Sequence, residues 1–160
     1  MASGVRFFIH MEQFVIKEIN EFDLGVLERI NQLLNQLVST PVDFTEEDFR
    51  EILDSGSSQL FLAYVDGMIA GMLTLGTYIC PTGVKYWVED VVVDESFRGK
   101  SVGKRLIGFA IEYVHKQGKG TLMLTSKPSR VAANRLYQSV GFQLKETNVY
   151  KMQIDDSKEQ

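Results

Sequence analysis

The chain has 160 residues, of which 44% are hydrophobic and 24% charged, with one cysteine, two histidines and a net charge of −4. A chain of this length is usually one domain, and its composition is that of a globular protein rather than a disordered or collagen-like one. One cysteine excludes an internal disulfide and a multi-cysteine metal cluster, and with so few histidines we predict no metal site. The acidic balance argues against a general nucleic-acid-binding protein.

No segment of the sequence has the features of a membrane span or a secretory signal. The apolar runs are shorter than the ~18 residues that a membrane span needs, and the run at 7–9 is too short for a signal peptide. We therefore expect a cytoplasmic protein with no membrane partner. We predict one domain over 13–154, an N-terminal extension at 1–12 that is open to disorder, with Met11 as an alternative start, and a polar tail at 155–160.

The first third of the chain is predicted to contain one strand and two helices. Alternating apolar residues favour a strand at Gln13–Ile19. Apolar residues spaced three and four apart then favour a helix from Leu24 to Leu37, with Asp23 as its cap. Thr45 and Asp48 are spaced as a capping box at the start of a short helix that ends at Asp54.

The middle of the chain is predicted to be a meander of strands. Strands at Gln59–Val65 and Met68–Ile79 are joined by Asp66-Gly67, which favours a primed two-residue turn because Gly67 supplies a positive φ. A further strand follows at Tyr86–Val93.

The last third is predicted to alternate helices and strands. The predicted elements are a helix from Val102 that Gly118 ends, a strand at Thr121–Thr125, a helix at Arg130–Val140 with Ser129 as N-cap and Gly141 as C-cap, and strands at Gln143–Lys145 and Asn148–Ile154.

Positive charge is concentrated in one region. Between Glu95 and Arg135 there are nine basic and two acidic residues, whereas the rest of the chain has eight basic and 19 acidic residues. This distribution favours a polyanion site, although a solvated helix face is the plain alternative. Within the region, Arg98–Lys104 lies between an apolar strand and an amphipathic helix, where unpaired first-turn N–H groups and the helix dipole favour an anion.

Two motifs that match this turn in part are poorly supported by their surroundings. Gly99-Lys100-Ser101 resembles the end of a P-loop, but Asp94 stands where the first glycine of that motif belongs. Gly99-x-Ser101-x-Gly103 matches the nucleophile elbow of a hydrolase. After Ser101, however, its acid and base would have to be Glu112 and His115, which lie on the same predicted helix.

A third motif is supported by a second signature further along the chain. Arg98-x-x-Ser101-x-Gly103 fits a Gln/Arg-x-x-Gly-x-Gly/Ala turn, with serine at the first glycine position. With Val91–Gly99 and the pattern Asn134-Arg-Leu-Tyr-x-x-x-Gly-Phe142, it resembles the GNAT superfamily of acetyl-CoA-dependent N-acetyltransferases. The order and spacing of the elements resemble that family from Gln13 to Ile154.

This resemblance implies a mixed α/β fold and acetyl-CoA as cosubstrate. The GNAT-like fold has a mixed, mostly antiparallel sheet of about seven strands, whose central parallel strands splay apart, and about four helices. The pantetheine arm is expected between the splayed strands and the pyrophosphate on the basic turn. The implied cofactor-binding residues are Val91, Val92, Val93, Arg98, Gly99, Lys100, Ser101, Val102, Gly103, Lys104, Asn134 and Tyr137. We expect Ser101 to be right-handed helical, a conformation that tolerates its Cβ.

Acetyl transfer to an amine requires removal of a proton from the amine, stabilisation of an oxyanion and departure of a thiolate. Tyr137 matches the family tyrosine that protonates or hydrogen bonds the leaving sulfur, and Asn134 matches the asparagine that contacts pantetheine. Without the family pattern, Tyr137 is equally typical of a half-buried aromatic residue near a helix end.

Two acids, Glu89 and Asp90, lie within an apolar strand, where an unpaired buried carboxylate is costly. Neighbouring strand residues face opposite sides, so only one of the two lines a cleft unless a bulge intervenes. We predict Glu89 as the base, acting through water. A solvated or salt-bridged structural role is the alternative for both acids.

Other reactive or aromatic residues are interpreted more simply. Cys80 is predicted to act as a small hydrophobic residue and His115 as a surface residue of a helix. Four aromatic residues either line an amine site or pack in the core, and packing is favoured: Tyr78, Tyr86, Trp87 and Phe97.

The predicted function is therefore transfer of the acetyl group of acetyl-CoA to a primary amine by direct attack in a ternary complex. The acceptor is a small molecule or a peptide, and the acidic remainder of the chain favours a cationic one. A non-catalytic acyl-CoA-binding sensor or regulatory module of the same fold is the alternative, which Ser101 favours. Formation of a homodimer is also possible, because the sequence neither supports nor excludes it.

Overall fold

Five strands and four α-helices succeed one another in the computed structural model, which describes residues 13–154. The elements are β1 (Phe14–Glu18), α1 (Leu24–Leu37), α2 (Glu46–Asp54), β2 (Ser58–Val65), β3 (Met68–Cys80), β4 (Gly83–Val93), α3 (Val102–Gln117), β5 (Thr121–Leu124) and α4 (Val131–Ser139), with a short 3₁₀ turn at Glu95–Phe97. The predicted extension at 1–12, with Met11, and the predicted tail at 155–160 lie outside the described residues.

The strands form one sheet in the order β1-β2-β3-β4-β5. The pairs β1–β2, β2–β3 and β3–β4 are antiparallel, and β5 is parallel to β4. The mixed α/β class, the mostly antiparallel sheet with a parallel pair, and the four helices are thus confirmed. The predicted number of about seven strands is wrong. Within the described residues, Gln143–Lys145 and Asn148–Ile154 form no strand, since no other part of the chain pairs with them.

Helices cover both faces of the sheet. On one face, Ile30 and Leu33 of α1 and Phe49 of α2 pack with Leu62. On the other, α3 packs against the sheet through a set of fully buried apolar side chains that includes Phe61, Leu75, Leu106 and Ile107. Because both faces are covered, the middle of each strand is a continuous buried run, Leu60–Ala63 in β2 and Ala70–Leu73 in β3, rather than an alternating one. Among residues 13–154, no helix has the length and apolar character of a membrane span.

Most of the helix caps and turns predicted from the sequence are present in the structure. The Asp23 carboxylate accepts a 2.8 Å hydrogen bond from the first turn of α1, and Thr45 forms both halves of the capping box of α2. Asp66-Gly67 has φ values of 48° and 81°, as a type I′ turn requires, and Gly141 has a φ of 104° after α4. The cap predicted at Ser129 is wrong, because α4 begins one residue later and has no side-chain cap.

Candidate functional site

The pairing between β4 and β5 stops partway along β4, and we call the unpaired side of β4 beyond that point the cleft. The two strands pair from Lys85 opposite Thr121 to Val88 opposite Leu124. β5 then ends, whereas β4 continues to Val93. Within residues 13–154, the last part of β4 therefore has β3 on one side and no strand on the other.

The backbone of β4 presents alternate amide groups to this cleft. The Asp94 N–H donates a 2.9 Å hydrogen bond to the Ala70 carbonyl of β3. Since alternate residues of a strand point to the same side, the Val92 amide also points toward β3. The amides of Val91 and Val93 point toward the cleft. Of the three valines predicted to bind a cofactor through their backbone, Val92 thus directs its amide away from the cleft.

The basic turn that follows β4 has the features of an anion site. The first hydrogen bond of α3 runs from the Arg105 N–H to the Ser101 carbonyl at 3.0 Å. The N–H groups of Val102–Lys104 therefore have no partner within the helix, and the Ser101 side chain does not cap them. The side chains of Arg98, Lys100 and Lys104 are exposed around them.

Two residues of this turn adopt left-handed backbone conformations. Gly99 has a φ of 80° and Ser101 has a φ of 60° with ψ of 14°. The expectation that Ser101 is right-handed helical is therefore wrong. The chain reverses here between the 3₁₀ turn and α3, and a left-handed residue makes that reversal. This conformation costs a residue with a Cβ about 1–2 kcal/mol.

The turn, the end of β4 and α4 meet at Gly103. A Cβ added to this glycine would lie 3.5 Å from Val93 Cγ2 of β4 and 4.0 Å from Leu136 Cδ1 of α4. Tyr137 is the next residue of α4, so the structure brings this predicted catalytic residue to the same region of the fold as the basic turn.

Tyr137 is half-buried beside the ring of Phe142, with centroids 6.1 Å apart. Burial raises the pKa of Tyr137, and the opposing charge of Arg130 lowers it less, so the pKa lies above its ordinary value. The phenol is thus protonated at neutral pH and has a proton to donate.

Asn134 lies one turn before Tyr137 and holds the loop that precedes α4. Its Nδ2 donates to the Lys127 carbonyl at 2.9 Å and to the Arg130 carbonyl at 3.1 Å. The side-chain N–H groups of Asn134, the residue predicted to contact pantetheine, are therefore engaged by the chain itself.

A β-bulge brings two carboxylates to the side of the cleft. Glu89 pairs with Thr74 and Val92 with Met72, so two residues of β4 lie opposite one residue of β3. Asp90 is at the bulge with a φ of 50°. The strict alternation expected of a strand is interrupted here, and Glu89 and Asp90 are partly buried residues that still reach the solvent.

The environment of these carboxylates disfavours their charged forms. Partial burial raises the pKa of Asp90. Partial burial, followed by the nearby charge of Asp90, raises the pKa of Glu89. A raised carboxylate pKa is typical of a group that accepts a proton in catalysis.

Asp94 organises the start of the basic turn, a role that the sequence did not reveal. Its buried carboxylate accepts hydrogen bonds from Arg29 Nη2 at 2.7 Å and Gln36 Nε2 at 3.0 Å, both on α1. It also accepts from the Ser96 N–H at 2.9 Å and from the Ser96 hydroxyl. These hydrogen bonds, led by that of the Ser96 hydroxyl, hold the pKa of Asp94 far below its usual range.

Ser126 is a second residue that sequence reasoning missed. It lies two residues beyond the last paired residue of β5, where the strands have separated. Among the described residues, its Oγ is the buried side-chain polar atom without a hydrogen-bond partner. A buried hydroxyl is normally paired, so Ser126 is a candidate for contact with a bound molecule.

The aromatic residues divide into two groups. Tyr86 and Phe97 are buried in the core, which confirms that they pack. Trp87 Nε1 donates to the Tyr78 hydroxyl at 3.3 Å near the surface. His115 is exposed on α3, as predicted.

A family model described as "Acetyltransferase (GNAT) family" matches residues 28–142. The chain belongs to this family. It is 30% identical over 120 residues to glucosamine 6-phosphate N-acetyltransferase 1 of Oryza sativa subsp. japonica, covering 69% of this chain and 70% of that protein. Over 59 residues it is also 36% identical to an uncharacterised protein of Mycobacterium leprae, a match that spans only 16% of that protein.

Solved structures show the same GNAT fold. Glucosamine-6-phosphate N-acetyltransferase from Arabidopsis thaliana superposes with a TM-score of 0.72 and 26% identity, covering 88% of this chain and 99% of that one. The aminoglycoside N-acetyltransferase AAC(6')-Iy, in complex with CoA, superposes with a TM-score of 0.76 and 22% identity, covering 92% and 99%.

These findings confirm the resemblance to the GNAT superfamily. They also confirm the enzyme class, an acetyl-CoA-dependent N-acetyltransferase, at the level of the family. Residues 13–154 bring together no group of three His, Cys, Asp or Glu side chains with the spacing of a metal site.

Proposed function

We propose that this GNAT protein transfers the acetyl group of acetyl-CoA to a primary amine by direct attack in a ternary complex. One observation carries the proposal: the unpaired N–H groups at the start of α3 adjoin a split between β4 and β5, with Tyr137 nearby on α4. This arrangement has an anion site at one end and a proton donor at the other, as a thioester carrying a diphosphate requires.

The residues present fit such a cosubstrate. The N–H groups of Val102–Lys104 and the side chains of Arg98 and Lys100 would hold the pyrophosphate. The amides of Val91 and Val93 would donate hydrogen bonds to the pantetheine arm. The arm would then take the place that a neighbouring strand has in a sheet. The unpaired Ser126 hydroxyl would donate a further hydrogen bond to that arm.

In the proposed reaction the amine loses a proton, through water, to Glu89. Its nitrogen then attacks the thioester carbon, an N–C bond forms, and the C–S bond breaks. The Tyr137 hydroxyl donates a hydrogen bond or its proton to the departing sulfur. The raised pKa of Glu89 makes it a stronger base than an ordinary carboxylate, and the raised pKa of Tyr137 keeps its proton in place.

We propose a cationic amine as the acceptor class, with amino sugars as the first candidates. The carboxylates of Glu89 and Asp90 lie together beside the cleft, where they favour an ammonium group. The relatives named for glucosamine 6-phosphate and for aminoglycosides act on amino sugars by their names, which makes that class the one to test first.

We also propose that residues 13–154 act as one domain, in the cytoplasm and on a soluble amine rather than on nucleic acid or membrane. The net charge of −4 supports the exclusion of nucleic acid. Cell fractionation with detection of the endogenous protein tests the compartment.

Titration calorimetry with acetyl-CoA, followed by assay of free thiol release with a panel of amino sugars, polyamines and lysine peptides, tests the activity. Binding together with amine-dependent thiol release is the expected result. Binding without release for any amine would instead indicate an acyl-CoA sensor. Absence of binding, with ester cleavage that Ser101→Ala abolishes, would indicate the hydrolase alternative.

A further inference from the structure

The sheet face under α1 and α2 continues beyond these two helices. The core beneath them contains Met72 of β3 and Val92 of β4. Past these residues, β3 and β4 run on as a paired hairpin as far as Cys80 opposite Gly83. Among the described residues, no apolar side chain of this outer hairpin, 74–89, packs in the core under α1 and α2. The outer part of this face is therefore not covered by those helices.

Three side chains lie together on the outer part of this face, and we call them the aromatic platform: Tyr78, Trp87 and Met123. Tyr86 and Val88 pack in the core under α3, so the alternation of β4 turns Trp87 to the opposite face. Met123 of β5 is paired directly with Trp87 and shares its face. From β3, the Tyr78 hydroxyl accepts a 3.3 Å hydrogen bond from Trp87 Nε1.

The indole of Trp87 lies outside both cores of the domain. It is half-buried, yet it belongs to neither of the clusters that pack under the helices. Its partner on β3 is Gly76, and a Cβ added to that glycine would come no closer than 4.0 Å to the Trp87 carbonyl. Tyr78 is 48% exposed. The platform thus presents aromatic area that a bound molecule can cover.

Opposite charges stand at the two ends of the platform. Glu89 follows Trp87 by two residues on the same face of β4, so the two Cα atoms are about 7 Å apart. Lys85 precedes Trp87 by two residues, and its Nζ donates to the Thr82 carbonyl at 3.3 Å, at the hairpin end. A ligand with one ammonium group near Glu89 fits these charges. A diamine charged at both ends would place its second ammonium near Lys85, which repels it.

We propose that the aromatic platform binds the ring of a monoamino sugar, an inference that rests on the proposed acetyl transfer. The face of a sugar ring presents C–H groups, which pack on an aromatic ring as other apolar groups do. The hydroxyl groups at the ring edge stay in water. A ring that lies on Trp87 directs its amine toward Glu89, the proposed base. The platform therefore selects amines carried on a ring over linear amines.

The first experiment uses the emission of Trp87, which is the one tryptophan of the chain. The unaltered protein is titrated with D-glucosamine in the presence of CoA, which has no acetyl group to transfer. We expect a saturable change in emission, because the sugar ring replaces water on the indole. An emission that stays constant at D-glucosamine concentrations that saturate acetyl transfer would overturn the proposal.

The second experiment compares D-glucosamine with 1,4-diaminobutane, an amine without a ring. Trp87→Ala should lower the ratio of kcat/KM for D-glucosamine to that for 1,4-diaminobutane by about tenfold, the effect of losing one well-packed aromatic contact. A purely structural role of Trp87 would lower both values alike and keep the ratio. Ile79→Ala is the matched control, since Ile79 follows Tyr78 on the opposite face and is 81% exposed. The same ratio in Trp87→Ala and in the unaltered protein would overturn the proposal.

The two experiments separate the failure of this inference from the failure of the proposed function. Acetyl transfer to D-glucosamine without any change in emission excludes the platform and leaves the reaction in place. A saturable change in emission without thiol release from acetyl-CoA supports the platform as a sugar site and excludes the transferase. The titration uses the unaltered chain, so its outcome decides the proposal even where Trp87→Ala does not fold.

Discussion

Arg29 Nη2 lies 2.7 Å from Asp94 Oδ2, and this ion pair joins α1 to the first residue after β4. Arg29 also donates to the Ile69 carbonyl at 3.0 Å, so the same guanidinium connects α1 to the start of β3. The basic turn therefore starts from a point held by three parts of the fold. These bonds hold the start of the turn in place, and they would lower the entropic cost of binding the proposed anion at the N–H groups of α3.

Replacing Asp94 should destabilise the fold. Asp94→Asn loses charge-assisted hydrogen bonds from Arg29 and Gln36, and we expect the free energy of unfolding to fall by about 1.5–3 kcal/mol. The folded pKa of Asp94 is lowered, so its contribution is complete above the ordinary value near 4 and declines as the pH falls below it. Urea unfolding at several pH values measures both effects. Glu95→Gln is the matched control, and an equal loss in both variants would contradict this role.

The left-handed conformation of Ser101 predicts opposite effects for two substitutions. Ser101→Gly removes the Cβ strain and should raise the free energy of unfolding by about 0.5–1 kcal/mol after the entropy cost of glycine. Ser101→Val should lower it, because a β-branched residue strongly disfavours positive φ. Denaturant unfolding of the two variants gives the comparison. Stabilisation by valine would show that the residue is not left-handed in solution.

Glu89 should govern the acid side of the pH–rate profile. A base acts only when deprotonated, so kcat should fall as the pH drops through the raised pKa of Glu89, at a pH above its ordinary value of 4.5. Glu89→Gln should lower kcat by about 10²-fold or more. Asp90→Asn removes the neighbouring charge and should move the acid limb to lower pH without abolishing activity. A profile that neither variant alters would remove Glu89 from the mechanism.

Tyr137→Phe should separate catalysis from binding. The substitution keeps the ring beside Phe142 and removes only the hydroxyl. We expect kcat to fall by about 10²-fold, with the affinity for acetyl-CoA and the melting temperature unchanged. Tyr113→Phe, which removes a hydroxyl from α3, serves as the control. Steady-state kinetics and calorimetry report the two quantities, and full activity at neutral pH would exclude Tyr137 as the acid.

The unpaired hydroxyl of Ser126 predicts a variant that loses affinity but not stability. Ser126→Ala removes a buried polar atom that has no partner in the described structure, so the free energy of unfolding should stay the same or rise. Binding of acetyl-CoA should weaken about threefold to tenfold, the value of one hydrogen bond. Calorimetric titration measures the affinity. Ser129→Ala, an exposed serine nearby, should change neither quantity.

Much of the fold was predictable because its signals are local. The cap at Asp23, the capping box at Thr45 and the type I′ turn at Asp66-Gly67 each depend on residues within a few positions of one another. The basic turn after β4 and the signature around Tyr137 are also short, and together they were enough to indicate the family.

The features that escaped prediction depend on contacts between distant residues. Asp94 lies 65 and 58 positions from its partners on α1, so nothing near it in the chain indicates its role. The bulge at Asp90 comes from the register between two strands. The strand predicted at Asn148–Ile154 has the right pattern, but a strand forms only where another edge pairs with it.

The sequence by itself therefore determined the helices, most of the strands, most of the turns and the location of the proposed anion site, because propensity, capping and charge act over a few residues. Only the tertiary structure decided, for the residues that it describes, which amides of β4 face the cleft, which hydroxyl stays unpaired and which edge of the sheet is left open. Those outcomes follow from how strands align and where their pairing stops, and that alignment is set by packing across the whole domain.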